Sequence, residues 1–101
     1  MTGLEPFRRR LDGLDDEIAR LLGERFDVCR DIARYKRAHG IPMMQPDRVA
    51  LVRDRYLARG EEANLPSEFA AGLFELLIAA TCTEEDELME ALAAQPEGRE
   101  V

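Results

Sequence analysis

The sequence predicts an all-α chain of three helices, the first of them very long. Three observations carry this. Apolar residues recur at Phe7, Leu11, Leu14, Ile18, Leu21, Val28, Ile32 and Tyr35, mostly four or three apart, which is the period of a heptad-like seam on one helix. No segment alternates apolar and polar residues as a half-buried strand would. Prolines stand at Pro6, Pro46 and Pro66, each suited to a first helical turn, where the missing N–H is not needed.

The first helix is expected from about Glu5 to His39. Gly40 suits its C-terminal cap, and Pro42 follows as a stop. Gly13 and Gly23 weaken this helix without breaking its period. At 1.5 Å per residue it is about 50 Å long, and neither of the other two helices matches that length. A single copy leaves much of the seam uncovered, so a second chain is expected to cover it. "GIPMMQP" connects to a second helix from Pro46 to Ala63, with Val49, Val52 and Tyr56 on one face and Gly60 frustrating its end. "NLPSEF" opens a third helix that reaches about Leu92, with Glu68 in its first turn. The expected domain is 1–92, and 93–101 form a flexible tail.

Composition narrows the function classes. The 101 residues suffice for one domain, and 46% hydrophobic with 35% charged residues describes a folded chain. The net charge of −7 argues against a nucleic-acid partner. No apolar run approaches the ~20 residues of a membrane span, and no apolar leader precedes the first helix, so a cytoplasmic setting is expected. Cys29 and Cys82 lack metal-ligand spacing and read as reduced core residues. Met43 and Met44 read as loop anchors in a core, and His39 as a helix-terminal charge.

One residue breaks the pattern. Arg25 falls on the apolar seam, within "LLGERFDVC", where a leucine is expected. A guanidinium in such a place needs a buried carboxylate or an anionic ligand. Lys36 lies eleven residues on, within about 20° of Arg25 around the helix. Arg48 opens the second helix after a short connection and can join them. Among the acids, Glu85 shares a stripe with Leu77, Thr81, Leu88 and Leu92, while Glu84 has a rival stripe through Leu73, Leu77, Ala80 and Leu88. Arg8 flanks the seam, but it is seventeen residues from Arg25, about 25 Å along the axis. It reaches a ligand of Arg25 only from an antiparallel partner. No Ser-His-Asp, Cys-His, metal-ligand or phosphate-loop arrangement is present. An enzyme built on these residues works through cations and hydrogen bonds, with no cofactor and no metal.

Arg8 before "LDGLDDEI", Arg25 in "LGERFDV", Lys36 in "IARYK", Arg48 in "PDRV" and the stretch "LFELLIAATCTEED" together resemble the all-helical class of chorismate mutases, from about Phe7 to Leu92. The resemblance implies an intertwined homodimer in which each site borrows one arginine, here Arg8, from the partner. It implies a Claisen rearrangement of a dicarboxylate enol ether, which requires orientation of the substrate and stabilisation of charge on its ether oxygen. Arg8, Arg25 and Arg48 are then carboxylate ligands, Lys36 serves a carboxylate and the ether oxygen, and Thr81 contacts substrate. Two positions depart from the common pattern. Val49 and Gln45 stand where many chorismate mutases carry a glutamate that binds the C4 hydroxyl and an aspartate. Glu85 stands where bacterial forms often carry glutamine, and only a neutral carboxyl donates a hydrogen bond there. The stretch "IARYKRAHGIPMMQPDRVALVRDR" is similar to 4-amino-4-deoxychorismate mutases of antibiotic pathways, and isochorismate pyruvate lyases share the valine. The reading from a different class is a non-catalytic helical dimer, which explains the seam but not Arg25 within it.

Overall fold

The computed structural model describes residues 3–42 and 44–94. They form three helices and no strand, α1 (Glu5–His39), α2 (Pro46–Glu62) and α3 (Ser67–Ala93). The all-α expectation holds, and the helix limits agree with those read from prolines, caps and apolar period. Helix α3 runs one residue past Leu92, Ala94 caps it, and residues 95–101 of the expected tail, with Met43, lie outside the described residues.

Local chemistry explains each boundary. Glu5 stands in the first turn of α1 and Lys36 and Arg37 in its last, each charge complementing the helix dipole. Gly40 adopts a left-handed conformation (φ 66°), and the amides of Gly40 and Ile41 both donate to the Lys36 carbonyl, the latter at 2.9 Å. His39 stacks on Tyr35 and donates from Nδ1 to its carbonyl at 2.9 Å. Gln45 is extended, as a residue before proline must be, and its carbonyl accepts from the amides of Arg48 and Val49. That turn fixes the direction in which both side chains leave α2. Asn64, left-handed at φ 63°, and the bond from the Leu65 amide to the Gly60 carbonyl reverse the chain into α3.

Helix α3 is the common wall. Its first half packs against α2, with Tyr56 and Phe74 rings 5.8 Å apart. Its second half packs along α1 through Arg30 Nε to Glu84 at 2.6 Å and Arg37 to the Leu92 carbonyl at 3.2 Å. Among the described residues α1 and α2 do not approach each other. Gly60 is buried, and a Cβ there would lie 2.8 Å from the Ala70 Cβ. Gly60 therefore does not frustrate α2; it lets α2 cross α3 closely. Gly60→Ala is expected to destabilise the fold by about 1–3 kcal/mol through overpacking, despite the better helix propensity of alanine. Urea melts check this, and Ala70→Gly in the same chain should recover most of the loss.

Among the described residues Ala33, Ala70, Phe74 and Leu77 are the buried apolar ones, a very small core. The α1 seam stays open: Phe7, Leu11, Leu14, Ile18, Leu21, Val28, Ile32 and Tyr35 are each 42–59% exposed. The radius of gyration is 18.2 Å, against about 13 Å for a compact chain of this length. The molecule measures 63 × 31 × 15 Å, little more than one helix thick.

Candidate active site

The second half of α1, the start of α2 and the second half of α3 enclose a cleft of about 420 Å³. Arg25 and Lys36 reach it from α1, three turns apart on one face, as their spacing required. Gln45 reaches it from the connection, Arg48 and Val49 from the first turn of α2, and Thr81 and Glu85 from α3. Six of the seven residues singled out in the sequence thus line one cleft. The seventh, Arg8, lies exposed near the other end of α1, and its own chain does not bring it there.

The charge pattern is local. Three cations and one acid line the cleft of a chain whose net charge is −7. Lys36 Nζ donates to Glu85 Oε1 at 3.4 Å, and the two side chains are only 15% and 10% exposed. Packing also decides between the two glutamates. Glu84 accepts from Arg30 at 2.6 Å outside the cleft. The next residue, turned about 100° round α3, faces Lys36. Arg30 also bonds Asp27 at 2.8 Å, so the Arg30–Glu84 contact is itself braced.

Arg25 is half-buried, and its guanidinium meets the Cys29 thiol at 3.8 Å. No carboxylate of the described residues pairs with it. Arg48 is exposed at the rim. The Thr81 hydroxyl donates to the Leu77 carbonyl at 2.8 Å and approaches that of Ile78 at 3.2 Å. With its hydrogen so used, it offers lone pairs to the cleft.

Two readings of the sequence need correction here. Cys29 and Cys82 are free thiols but not core residues: they are half-buried and form part of the cleft wall. Burial pushes both thiols up from their ordinary range, partly opposed at Cys29 by Arg25. Met44 is 48% exposed and lines the cleft rather than anchoring a core. Sequence reasoning also missed the apolar walls Ile41, Val52 and Ile78, and a second, arginine-lined gap on the far side of Arg48. The helical spacing of Arg48, Val52, Arg55 and Arg59 was the available signal for the gap.

A family model described as chorismate mutase type II matches residues 7–94. The chain belongs to that family. It is accordingly an enzyme of the chorismate mutase, or isomerase, type. A 4-amino-4-deoxychorismate mutase of Streptomyces venezuelae is 39% identical over 94 residues, covering 91% of each chain. A 4-amino-4-deoxychorismate mutase of Streptomyces pristinaespiralis is 36% identical over 83% of this chain and 65% of the relative. A chorismate mutase of Methanocaldococcus jannaschii is 31% identical over 74% of this chain and 76% of its own length. Among the described residues, no helix of this type II chain is long and apolar enough to cross a membrane.

Proposed function

We propose that the chain converts 4-amino-4-deoxychorismate to 4-amino-4-deoxyprephenate by a Claisen rearrangement, with residues 1–92 as the catalytic domain of a homodimer. The observation that carries the reaction type is the meeting of Arg25, Lys36 and Arg48 with the buried Glu85 in one cleft. The substrate is a dianion at its two carboxylates, and the cations match it. The reaction breaks the ether C–O bond as a C–C bond forms within the same molecule, so nothing is added or lost. Arg25 and Arg48, with Arg8 of the second protomer, hold the carboxylates so that the side chain lies over the ring. Lys36 serves a carboxylate and the ether oxygen, where negative charge grows. Glu85, when its carboxyl carries a proton, donates to that oxygen.

Val49 and Gln45 support the amino substrate. The cleft wall beside Arg48 is apolar at Val49, where many chorismate mutases have a glutamate for the C4 hydroxyl. The Thr81 oxygen and the side-chain amide oxygen of Gln45 are acceptors available to an ammonium group. The names of the two Streptomyces relatives point the same way. Incubation with 4-amino-4-deoxychorismate, chorismate and isochorismate in parallel, with product identification, tests the assignment. The amino substrate is expected to show the highest kcat/KM, and Val49→Glu should shift the ratio toward chorismate. A higher kcat/KM for chorismate with the native chain would replace this reading with that of a plain chorismate mutase, and pyruvate release from isochorismate with that of a lyase.

The open seam of α1 and the distance of Arg8 from the cleft support the dimer. Mixing Arg8→Ala chains with Arg25→Ala chains should regenerate activity, because each mixed dimer holds one intact site, giving about a quarter of the native value. An inactive mixture, with mixed dimers verified by mass, rules the shared site out.

A further inference from the structure

A gap of about 330 Å³ separates α1 from α2 beside the cleft, lined by Arg25, Arg48, Val52, Arg55, Tyr56 and Arg59. Among the described residues four guanidiniums face one space, and no acid lines it. Arg59 is bonded to Glu62 at 2.7 Å, Arg25 meets Cys29, and Arg48 belongs to the cleft. Arg55 has no ion pair among the described residues. Four like charges in one gap repel one another unless an anion enters.

The chain carries a segment that fits. Asp15, which likewise makes no ion pair among the described residues, lies seven residues after Arg8 on the same flank of α1. Arg55 lies seven residues after Arg48 on the gap-facing stripe of α2. Both steps span about 10.5 Å. The directions also agree. Helix α3 runs parallel to α1, since Arg30 meets Glu84 and Arg37 meets the Leu92 carbonyl. Helix α2 runs opposite to α3, since Tyr56 meets Phe74 and Gly60 meets Ala70. Helix α2 is therefore antiparallel to α1, and a partner α1 packed antiparallel on the seam runs parallel to α2. With Arg8 of that partner at the level of Arg48, its Asp15 arrives at the level of Arg55.

We propose that Asp15 of one protomer and Arg55 of the other form an ionic clamp across the gap between α1 and α2, and that this clamp seats Arg8 in the catalytic cleft. Both are positioning residues, since neither lines the cleft itself. The inference rests on the reading that Arg8 completes the site of the second protomer. It adds the contact that fixes the register of the crossing helix, so that Arg8 is delivered to the cleft and not a turn away from it.

The test uses the full chain with Asp15→Arg, Arg55→Asp and the double charge swap, all at exposed positions. Sedimentation at several salt concentrations gives the dimer dissociation constant, and steady-state kinetics give KM and kcat. Each single reversal is expected to weaken the dimer about tenfold or more and to raise KM, and the double swap should recover most of both. Circular dichroism confirms that the single variants stay helical. Single variants that leave the dimer constant and KM unchanged, or a double swap no better than the singles, overturn the clamp. If Arg8→Ala and Arg25→Ala chains complement each other all the same, the shared site survives and the clamp alone falls. A native chain that is monomeric and fully active overturns both.

Discussion

Arg25→Leu should nearly abolish catalysis while leaving the protein at least as stable. The substitution completes the apolar seam between Leu21, Leu22 and Val28, and it removes a half-buried guanidinium whose hydrogen-bond partner in the chain is the Cys29 thiol. Replacing a charge by a well-packed apolar residue at such a place is neutral or stabilises by about 1–4 kcal/mol once the seam is covered. The opposite holds for the bound substrate. A carboxylate that loses a desolvated guanidinium forfeits about 2–5 kcal/mol, so kcat/KM should fall roughly 30- to 5,000-fold. Thermal melts with and without a bicyclic dicarboxylate analogue of the transition state, beside kinetics, read both effects. The native protein should be stabilised by the analogue and the variant much less. A variant that melts far lower yet keeps its turnover would make Arg25 a structural residue. A native protein that the analogue fails to stabilise at saturation would favour a non-catalytic helical dimer.

Glu85→Gln is expected to change the shape of the pH profile more than its maximum. Glu85 is buried on α3 with Lys36 Nζ at 3.4 Å. Negative charge grows on the ether oxygen as the C–O bond breaks, and a donor aimed at it is worth about 10²–10³ in rate. A carboxyl donates only while it holds its proton, so in this role the native rate is tied to that proton. The amide of Glu85→Gln donates at every pH, so the variant should retain its rate on the alkaline side and exceed the native enzyme there. The contrary role, an ionised Glu85 pairing with the ammonium of the substrate, predicts loss of activity in Glu85→Gln at all pH values. Profiles of kcat/KM for both proteins, on a substrate whose own titration is known, separate the two roles.

Much of the site was legible in the sequence because a single helix is a rigid ruler. Once the period of Phe7 to Tyr35 establishes α1, the alignment of Arg25 with Lys36 follows from 100° per residue, and so does the inability of Arg8 to reach them within one chain. Pro6, Gly40, Pro46 and Pro66 set the helix limits by local backbone chemistry, and the structure agrees with them. The chemistry entered by another route, through the resemblance of the motifs around Arg8, Arg25, Lys36 and Arg48 to those of chorismate mutases.

What remained undecided depended on contacts between helices. Glu84 and Glu85 differ by one step of rotation, and each had an apolar stripe to join. Arg30, more than fifty residues away in sequence, pairs with Glu84, and Glu85 one step round α3 meets Lys36. Gly60 looked like a defect in α2 until Ala70 was found against it. Cys29 and Cys82 had the setting of core residues, but the core is too small to enclose them and they face the cleft instead. Periodicity along one helix tells which residues share a face. The tertiary structure alone decides what that face meets, because its partner comes from a distant part of the chain whose rotation and approach no local pattern records.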